Sequence, residues 1–184
     1  FDDPTVTTGD RFGSVAIDGS YVLVGAPSDD TNGANTGQVN LFDLSGNLLQ
    51  TFDDPTPTPL GSLGDNIGKG FGVSVAIDGD NVLIGAANDG AGANVGQAYL
   101  FDAITGNLLQ TFDDPTPIAN VFGDKFGFSV AIEGNNVLIG AHADGTNGLN
   151  VGQAHLFDLS GNLLQTFDDP TITNRDNFGG SVAI

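Results

Sequence analysis

The sequence contains no cysteine, methionine or tryptophan. Without cysteine the chain can form no disulfide bond, thiolate metal site or cysteine nucleophile. Because methionine is absent, we do not expect Phe1 to be a translation start. Long apolar runs are also missing, since stretches such as VLIGAA at 82–87 are too short to cross a bilayer. With no signal peptide visible, we expect a processed chain or an excerpt of a longer one.

Positive charge is scarce. Four Lys and Arg stand against 23 Asp and Glu, which gives a formal net charge of −19. Nucleic acids and anionic membrane surfaces both attract clusters of basic side chains, so this balance excludes nucleic acid as a partner and argues against binding to anionic membranes. The short apolar runs predict no membrane insertion. Of the acids, 22 are Asp, and 28 residues are Gly. Both residues favour tight turns over helices, so the composition predicts an all-β chain.

Three short segments recur in the same order along the chain. They are Phe-Asp-Asp-Pro-Thr from Phe1, Phe52, Phe112 and Phe167, Ser-Val-Ala-Ile from Ser14, Ser74, Ser129 and Ser181, and Gly-Asn-Leu-Leu-Gln-Thr-Phe from Gly46, Gly106 and Gly161. A period of roughly 55 residues is typical of a β-propeller or another stacked array. The sequence therefore predicts three complete repeats and the beginning of a fourth.

Each repeat contains four short apolar segments. The pattern predicts strands such as Phe126–Ile132, Asn81–Ala86, Gly96–Asp102 and Asn107–Phe112. The first two segments of a repeat are joined by Asp-Gly or Glu-Gly, which indicates a tight hairpin. Four antiparallel strands per repeat are the architecture of a propeller blade.

The repeats set the predicted blade boundaries. We expect blade 1 at about 11–54, blade 2 at about 70–114 and blade 3 at about 125–169, with the start of blade 4 at about 177–184. Phe178–Ile184 is predicted to be the first strand of that fourth blade. Because three blades leave apolar faces open to water, we expect further repeats of the same chain or self-association to cover them.

The residues at the strand ends carry a family resemblance. Phe12-Gly13 is followed by Gly25-Ala26-Pro27, and later repeats keep a weakened form of this pattern. The chain thus resembles the FG-GAP repeats of integrin α chains and of bacterial surface and secreted proteins. This resemblance implies blades of a larger, usually seven-bladed propeller. It also implies a non-enzymatic extracellular or cell-surface module for adhesion, protein binding or structural assembly, with an unknown protein or glycan partner.

Calcium is a possible ligand. The integrin-like repeats bind it through Asp-x-Asp-x-Asp-Gly between strands one and two, but the short links here cannot supply the six to eight oxygens that calcium needs. The longer loops between strands two and three are richer in oxygen ligands. The candidate residues for weak sites, with affinities of about 10⁻⁴–10⁻³ M, are Asp29, Asp30, Asn32, Asp89, Asp144 and Asn147. The same residue types also form Asx turns, so a structural role is the alternative.

Strand directions sort the charges onto two faces. Seven acids fall at the hairpin face, here called the bottom: Asp18, Asp43, Asp78, Asp80, Asp102, Glu133 and Asp158. The remaining acids fall at the top, which also carries the longer loops. One basic residue precedes each Phe-Gly, and we expect these residues to balance local charge: Arg11, Lys69, Lys125 and Arg175. The alternative is a ring of cations that holds an anionic group.

Two other functions stay open. A lectin-like propeller, possibly assisted by calcium, requires aromatic pockets between blades, and the top loops contain few aromatic residues. A hydrolase would use paired top-face carboxylates, but Asp is too frequent for a pair to be informative. His142 and His155 occur in only one repeat, so we interpret them as structural. We expect the recurring Phe residues to pack between neighbouring blades.

Overall fold

The computed structural model describes residues 4, 11, 13–33, 35–56, 70–89, 95–118 and 123–184. Phe1, Phe12 and Lys69, named above, lie outside these ranges. The described residues form twelve β-strands and no helix. The strands are β1 Ser14–Asp18, β2 Tyr21–Ala26, β3 Gln38–Asp43, β4 Leu48–Asp53, β5 Phe71–Asp78, β6 Asn81–Ala86, β7 Gln97–Asp102, β8 Leu108–Asp113, β9 Phe126–Glu133, β10 Asn136–Ala141, β11 Gln153–Asp158 and β12 Leu163–Asp168. No helix in this part of the chain is long and apolar enough to span a membrane.

Each repeat forms one sheet of four strands. Sequence neighbours pair antiparallel in the orders β1-β2-β3-β4, β5-β6-β7-β8 and β12-β11-β10-β9. The second strand of each sheet is the most apolar. In the central sheet this strand is covered on both faces, and β6 has five buried residues out of six. The predicted all-β fold with four antiparallel strands per repeat is therefore confirmed, in a blade-like arrangement.

Two-residue turns connect the first and second strands. Asp78 pairs with Asn81, which leaves Gly79 and Asp80 at the tip. Gly79 has a φ of 56°, whereas Asp80 is absent from the positive-φ residues. A positive φ at the first tip residue alone is the type II′ pattern, which favours Gly at that position. A turn this short cannot supply the oxygen shell of the integrin-type calcium loop, as the sequence predicted.

The apolar core lies between sheets rather than within one. Phe52 of β4 packs on Phe101 of β7 with ring centroids 5.3 Å apart. Phe112 of β8 packs on Phe157 of β11 in the same way, at 5.4 Å. We call these contact zones the first seam, between β1–β4 and β5–β8, and the second seam, between β5–β8 and β9–β12. The prediction that recurring Phe residues fill the space between blades is confirmed here.

Backbone contacts join each sheet to the next Phe-Gly segment. Ser74 donates its hydroxyl hydrogen bond to the backbone oxygen of Gly127 at 2.8 Å. Ser129 donates to Gly179 in the same manner, at 2.7 Å. The backbone nitrogen of Phe178 also donates to the oxygen of Val151 at 2.8 Å. Phe178-Gly179 therefore docks on the third sheet as Phe126-Gly127 docks on the second.

The strand predicted at Phe178–Ile184 is wrong. These residues form turns and irregular backbone, and the last strand of the structure ends at Asp168. In the three sheets, the first strand forms its ladder with the strand that follows it along the chain. Phe178–Ile184 keeps the docking contact of the earlier Phe-Gly segments but forms no ladder with any described strand.

Candidate functional site

The loops between the second and third strands hold half of the predicted calcium residues in buried positions. Asp29, Asp89 and Asp144 are 1–3% exposed. Each begins its loop in the same way, because its backbone nitrogen donates to the alanine oxygen at the end of the preceding strand, at 3.0–3.1 Å. These three carboxylates therefore occupy equivalent places at the top of the fold.

The other predicted calcium residues lie nearer the surface. Asp30 is exposed, and its carboxylate accepts a hydrogen bond from the backbone nitrogen of Asn35 at 2.5 Å. Asn32 is also exposed. Asn147 donates its side-chain amide to the carboxylate of Asp168 at 2.7 Å. The hydrogen bond of Asp30 lies within its own loop, and that of Asn147 links its loop to the end of β12. Calcium binding by the six candidate residues stays a prediction.

A buried polar cluster lies at the top of the first seam. Tyr99 of β7 is fully buried, and its hydroxyl donates to Oδ2 of Asp89 at 2.5 Å. Thr56, just after the first sheet, places its hydroxyl 3.0 Å from the same carboxylate oxygen and 3.2 Å from Asp54 Oδ1. Burial and the nearby charge of Asp89 raise the pKa of Tyr99, so its hydroxyl remains a hydrogen-bond donor.

The second seam contains the equivalent cluster with histidine in place of tyrosine. Asp114, Asp144 and His155 are 0–6% exposed, and one ligand atom from each lies within 4.8 Å of the others. Thr116 bridges the cluster, with its hydroxyl 3.3 Å from Asp114 Oδ1 and 3.4 Å from Asp144 Oδ2. The cluster therefore joins the end of the second sheet to a loop and a strand of the third.

Three polar atoms at the second seam have no hydrogen-bond partner among the described residues. They are Oδ2 of Asp114, Oδ1 of Asp124 and Nε2 of His155, and all are buried. The other histidine nitrogen, Nδ1, lies 3.1 Å from the hydroxyl of Thr166 in β12. Buried polar atoms are nearly always paired in folded proteins, so three unpaired atoms here indicate a place for a ligand or a proton.

Burial sets the charge state of this cluster. It raises the pKa of Asp114 to about 7, assisted by the charges of Asp144 and Asp124. Burial also raises the pKa of Asp124 to about 6. The pKa of His155 is lowered, because burial outweighs the opposite effect of the nearby carboxylates. A neutral imidazole beside carboxylates that resist ionisation can accept either a proton or a metal cation.

Sequence reasoning placed Asp89 and Asp144 among candidate ligands but missed Asp114 and His155. His155 was interpreted as structural because the other repeats have Asn40 and Tyr99 at its position. The available signal was that Asn40, Tyr99 and His155 each place a polar group in the middle of the third strand, between apolar neighbours. Asp114, the second Asp of Phe-Asp-Asp-Pro, is buried at 6% exposure, whereas the sequence analysis counts it only among the remaining acids of the top face.

The three basic residues that the structure describes share a backbone conformation. Arg11, Lys125 and Arg175 all have positive φ, between 52° and 71°. Lys125 donates its ammonium group to the side-chain oxygen of Asn88 at 2.5 Å. His142 packs on the ring of Phe128 with centroids 4.1 Å apart. These contacts give Lys125 and His142 local structural roles. Local charge balance by the four basic residues stays a prediction, with a ring of cations around an anion as its alternative.

Comparison with known proteins supports the fold and the repeat. A family model described as FG-GAP repeat matches residues 5–42, 66–101 and 120–157, which together make up more than half of the chain. Among solved structures, the chain is similar to the "computationally designed Ika4 protein", with a TM-score of 0.52 and 18% identity over 91% of this chain and 81% of that one. Among curated protein sequences, none matches this chain significantly.

Proposed function

Because the chain belongs to the FG-GAP repeat family, we propose that it is a non-enzymatic extracellular module for adhesion, protein binding or structural assembly. FG-GAP repeats are typically found in adhesion and binding modules, and typically at or outside the cell surface. In this proposal the stacked sheets form a rigid platform. The loops at the top then present an acidic surface to a protein partner.

The observation that carries the proposal is the change in exposure of repeated apolar residues at the two ends of the stack. Ile77 and Ile132 are 8–9% exposed, whereas the equivalent Ile17 in the first sheet is 68% exposed. Phe52 and Phe112 are 2% exposed, whereas the equivalent Phe167 in the third sheet is 42% exposed. The residues that close each seam are thus uncovered at the ends.

The end surfaces fit another FG-GAP repeat. Leu138, Ala154, Phe167 and Phe178 line an open groove on the outer face of the third sheet. The equivalents of the first three, Leu83, Ala98 and Phe112, are buried in the core of the second seam. A further repeat placed there would make the same contacts, whether it belongs to the same protein or to a second copy. This continuation supports a larger propeller or array.

The top surface supports a protein partner of complementary charge. Asp30, Asp53 and Asp113 are exposed there, and the chain as a whole carries a net charge of −19. A surface of one sign attracts partners of the opposite sign and repels others, with a range of about 8 Å at physiological salt. We therefore expect basic protein surfaces to bind and binding to weaken as salt increases.

The test compares immobilised chain against a panel of extracellular proteins and a glycan array. We expect protein binding that is salt-dependent and weakened by the top-face pair Asp53→Asn and Asp113→Asn. The matched control is the bottom-face pair Asp78→Asn and Asp80→Asn, which changes the net charge equally and should leave binding intact. Saturable binding to glycans alone would instead support a lectin. Equal effects of the two pairs would reject the top face as the binding surface.

A further inference from the structure

The polar cluster of the second seam is built like a metal site. Its donors come from three separate segments: Asp114 follows β8, Asp144 lies between β10 and β11, and His155 lies within β11. Their ligand atoms lie within 4.8 Å of one another. Ligands bonded to one ion at about 2.1 Å lie at most about 4 Å apart, so small side-chain movements would bring all three to a common ion.

The imidazole of His155 is oriented as a ligand. Nδ1 is held by the hydroxyl of Thr166 at 3.1 Å, and Nε2 is buried without a hydrogen-bond partner. Metal-ligating histidines characteristically place the second ring nitrogen in a hydrogen bond of this kind, which fixes the tautomer and the ring orientation. Asp114 Oδ2 is likewise buried and without a partner among the described residues. Both free atoms belong to the cluster.

The charge of the cluster favours a cation. Asp114, Asp124 and Asp144 are at most 6% exposed, so three carboxyl groups are buried at this seam. Burial of several carboxylates is costly unless they are protonated, paired or bound to metal. A divalent ion would neutralise the carboxylates and occupy the unpaired atoms together.

The first seam provides an internal control. There Tyr99 replaces His155, and its hydroxyl donates directly to Asp89, the equivalent of Asp144. Thr56 adds a further hydrogen bond to the same oxygen. The tyrosine thus supplies Asp89 with a proton of its own. His155 makes no equivalent hydrogen bond to Asp144, and its Nε2 is buried without a hydrogen-bond partner.

We propose that the second seam binds one divalent transition-metal ion, for which Zn²⁺ is the probe, through Nε2 of His155 and the carboxylates of Asp114 and Asp144. Mixed nitrogen and carboxylate donors suit Zn²⁺ and similar ions, whereas Ca²⁺ selects oxygen. Asp124 or water completes the shell. The ion joins the second sheet to the third and is separate from the exposed part of the predicted calcium loops.

The first test measures stoichiometry on the full 184-residue chain after chelator treatment and removal of the chelator. Titration calorimetry with Zn²⁺ is expected to show one tight equivalent, and Co²⁺ is expected to give visible absorption bands of a site with a nitrogen ligand. Ca²⁺ at the same concentration should not displace either ion. No saturable Zn²⁺ binding, or displacement by equimolar Ca²⁺, would overturn the proposal.

Variants taken from the second repeat locate the site. His155→Tyr installs the residue of the first seam, so we expect a folded protein whose Zn²⁺ affinity falls by more than the 10–100-fold typical of an outer-shell change. His142→Ala installs Ala87 of the second repeat at the only other histidine and should leave binding unchanged. Unchanged binding in His155→Tyr would place the ion elsewhere and contradict the proposal.

The reciprocal variant adds a site instead of removing one. Tyr99→His should raise the Zn²⁺ stoichiometry from one to two, because Asp54 and Asp89 already stand in the equivalent places. If His155→Tyr does not fold, the perturbation of the His155 ring signals by Zn²⁺ in NMR of the unaltered chain decides the matter. If the His155 signals do not shift at saturating Zn²⁺, His155 is not a ligand and the proposal is rejected. The buried carboxyl groups would then be explained by a proton that they share.

Discussion

Gly85 in the second sheet lies directly against the backbone oxygen of Gly127 in the third sheet. A Cβ atom added to Gly85 would stand 1.9 Å from that oxygen. Gly25 and Gly140 have the same relationship to Gly72 and Gly179, at 2.2 Å and 2.0 Å. The Phe-Gly and Gly-Ala segments of the repeat are therefore two sides of one contact, in which the glycine makes room for the next sheet.

The variant Gly85→Ala tests this contact. Because the clash is with backbone that cannot rotate away, we expect a loss at or beyond the upper end of the roughly 1–3 kcal/mol typical of overpacking. Gly13→Ala is the control, since its nearest neighbouring atom lies 3.9 Å from the added carbon. Thermal or urea unfolding measures both. If the two variants are equally stable, the sheets can move apart at this seam without a loss of folding free energy, which would contradict the close contact.

The hairpin turns provide a second prediction. Gly79 has a φ of 56° and no atom within 4 Å of an added Cβ, so a substitution there meets only backbone strain. Gly79→Val should destabilise the fold by roughly 1–3 kcal/mol. Asp80→Val places the same side chain at the other tip residue, where φ is not positive, and should cost less. Unfolding in urea gives both values, and a Gly79→Val variant as stable as the native chain would contradict the turn type.

The third prediction concerns calcium and salt. The clustered acids of the top face repel one another, and both Ca²⁺ and simple salt reduce this repulsion. We expect millimolar Ca²⁺ to raise the melting temperature through the loops and through screening. The comparison is a chelator-treated sample at matched ionic strength, with Asp30→Asn as the loop variant. The same melting temperature with Ca²⁺ and with chelator would reject specific calcium binding.

A pH prediction follows from the turn between β3 and β4. The side-chain amide of Asn47 donates to Asp43 Oδ2 at 2.8 Å, and this bond lowers the pKa of Asp43 below its usual value. A folded pKa below the unfolded one stabilises the fold above the ordinary carboxyl range, and the gain is lost as pH falls through the folded pKa.

The variant Asn47→Ala should move the pKa of Asp43 back toward 3.8. The shift should be partial, because the backbone nitrogen of residue 47 still donates to Oδ1. NMR titration of the Asp43 carboxyl measures it. Asp158, held by Asn162 in the same way, is the internal control and should stay unchanged. A pKa of Asp43 that Asn47→Ala leaves in place would reject the side-chain amide as its main cause.

The fold was largely predictable because repetition reveals which residues act together. The four strands of each repeat, the tight hairpins and the packing of Phe52 against Phe101 all follow from patterns that recur. The strand at Phe178–Ile184 was predicted from the same pattern and is absent, because strand pairing depends on a neighbour and not on the segment alone.

The candidate metal cluster could not be predicted in this way. His155 occurs once, so repetition counted against it, and its partner Asp114 belongs to the preceding repeat. These two residues come together only where the second and third sheets pack on each other, and the geometry of that apolar contact is not evident from the sequence. The histidine and the tyrosine at equivalent places also differ in what they leave unpaired, which depends on hydrogen bonds visible only in three dimensions.

The central claim is that the two outer faces of the stack are surfaces on which another repeat packs. Sedimentation of the 184-residue chain over a range of concentrations tests this claim most directly. We predict that the apparent molecular mass of the native chain rises with concentration. The variants Ile17→Lys and Phe167→Lys each place a charge on one end face and should remain monomeric. Leu44→Lys alters an equally exposed side chain in a turn and should still associate. A native chain that stays monomeric at all concentrations, or association that survives both end-face variants, would contradict the claim.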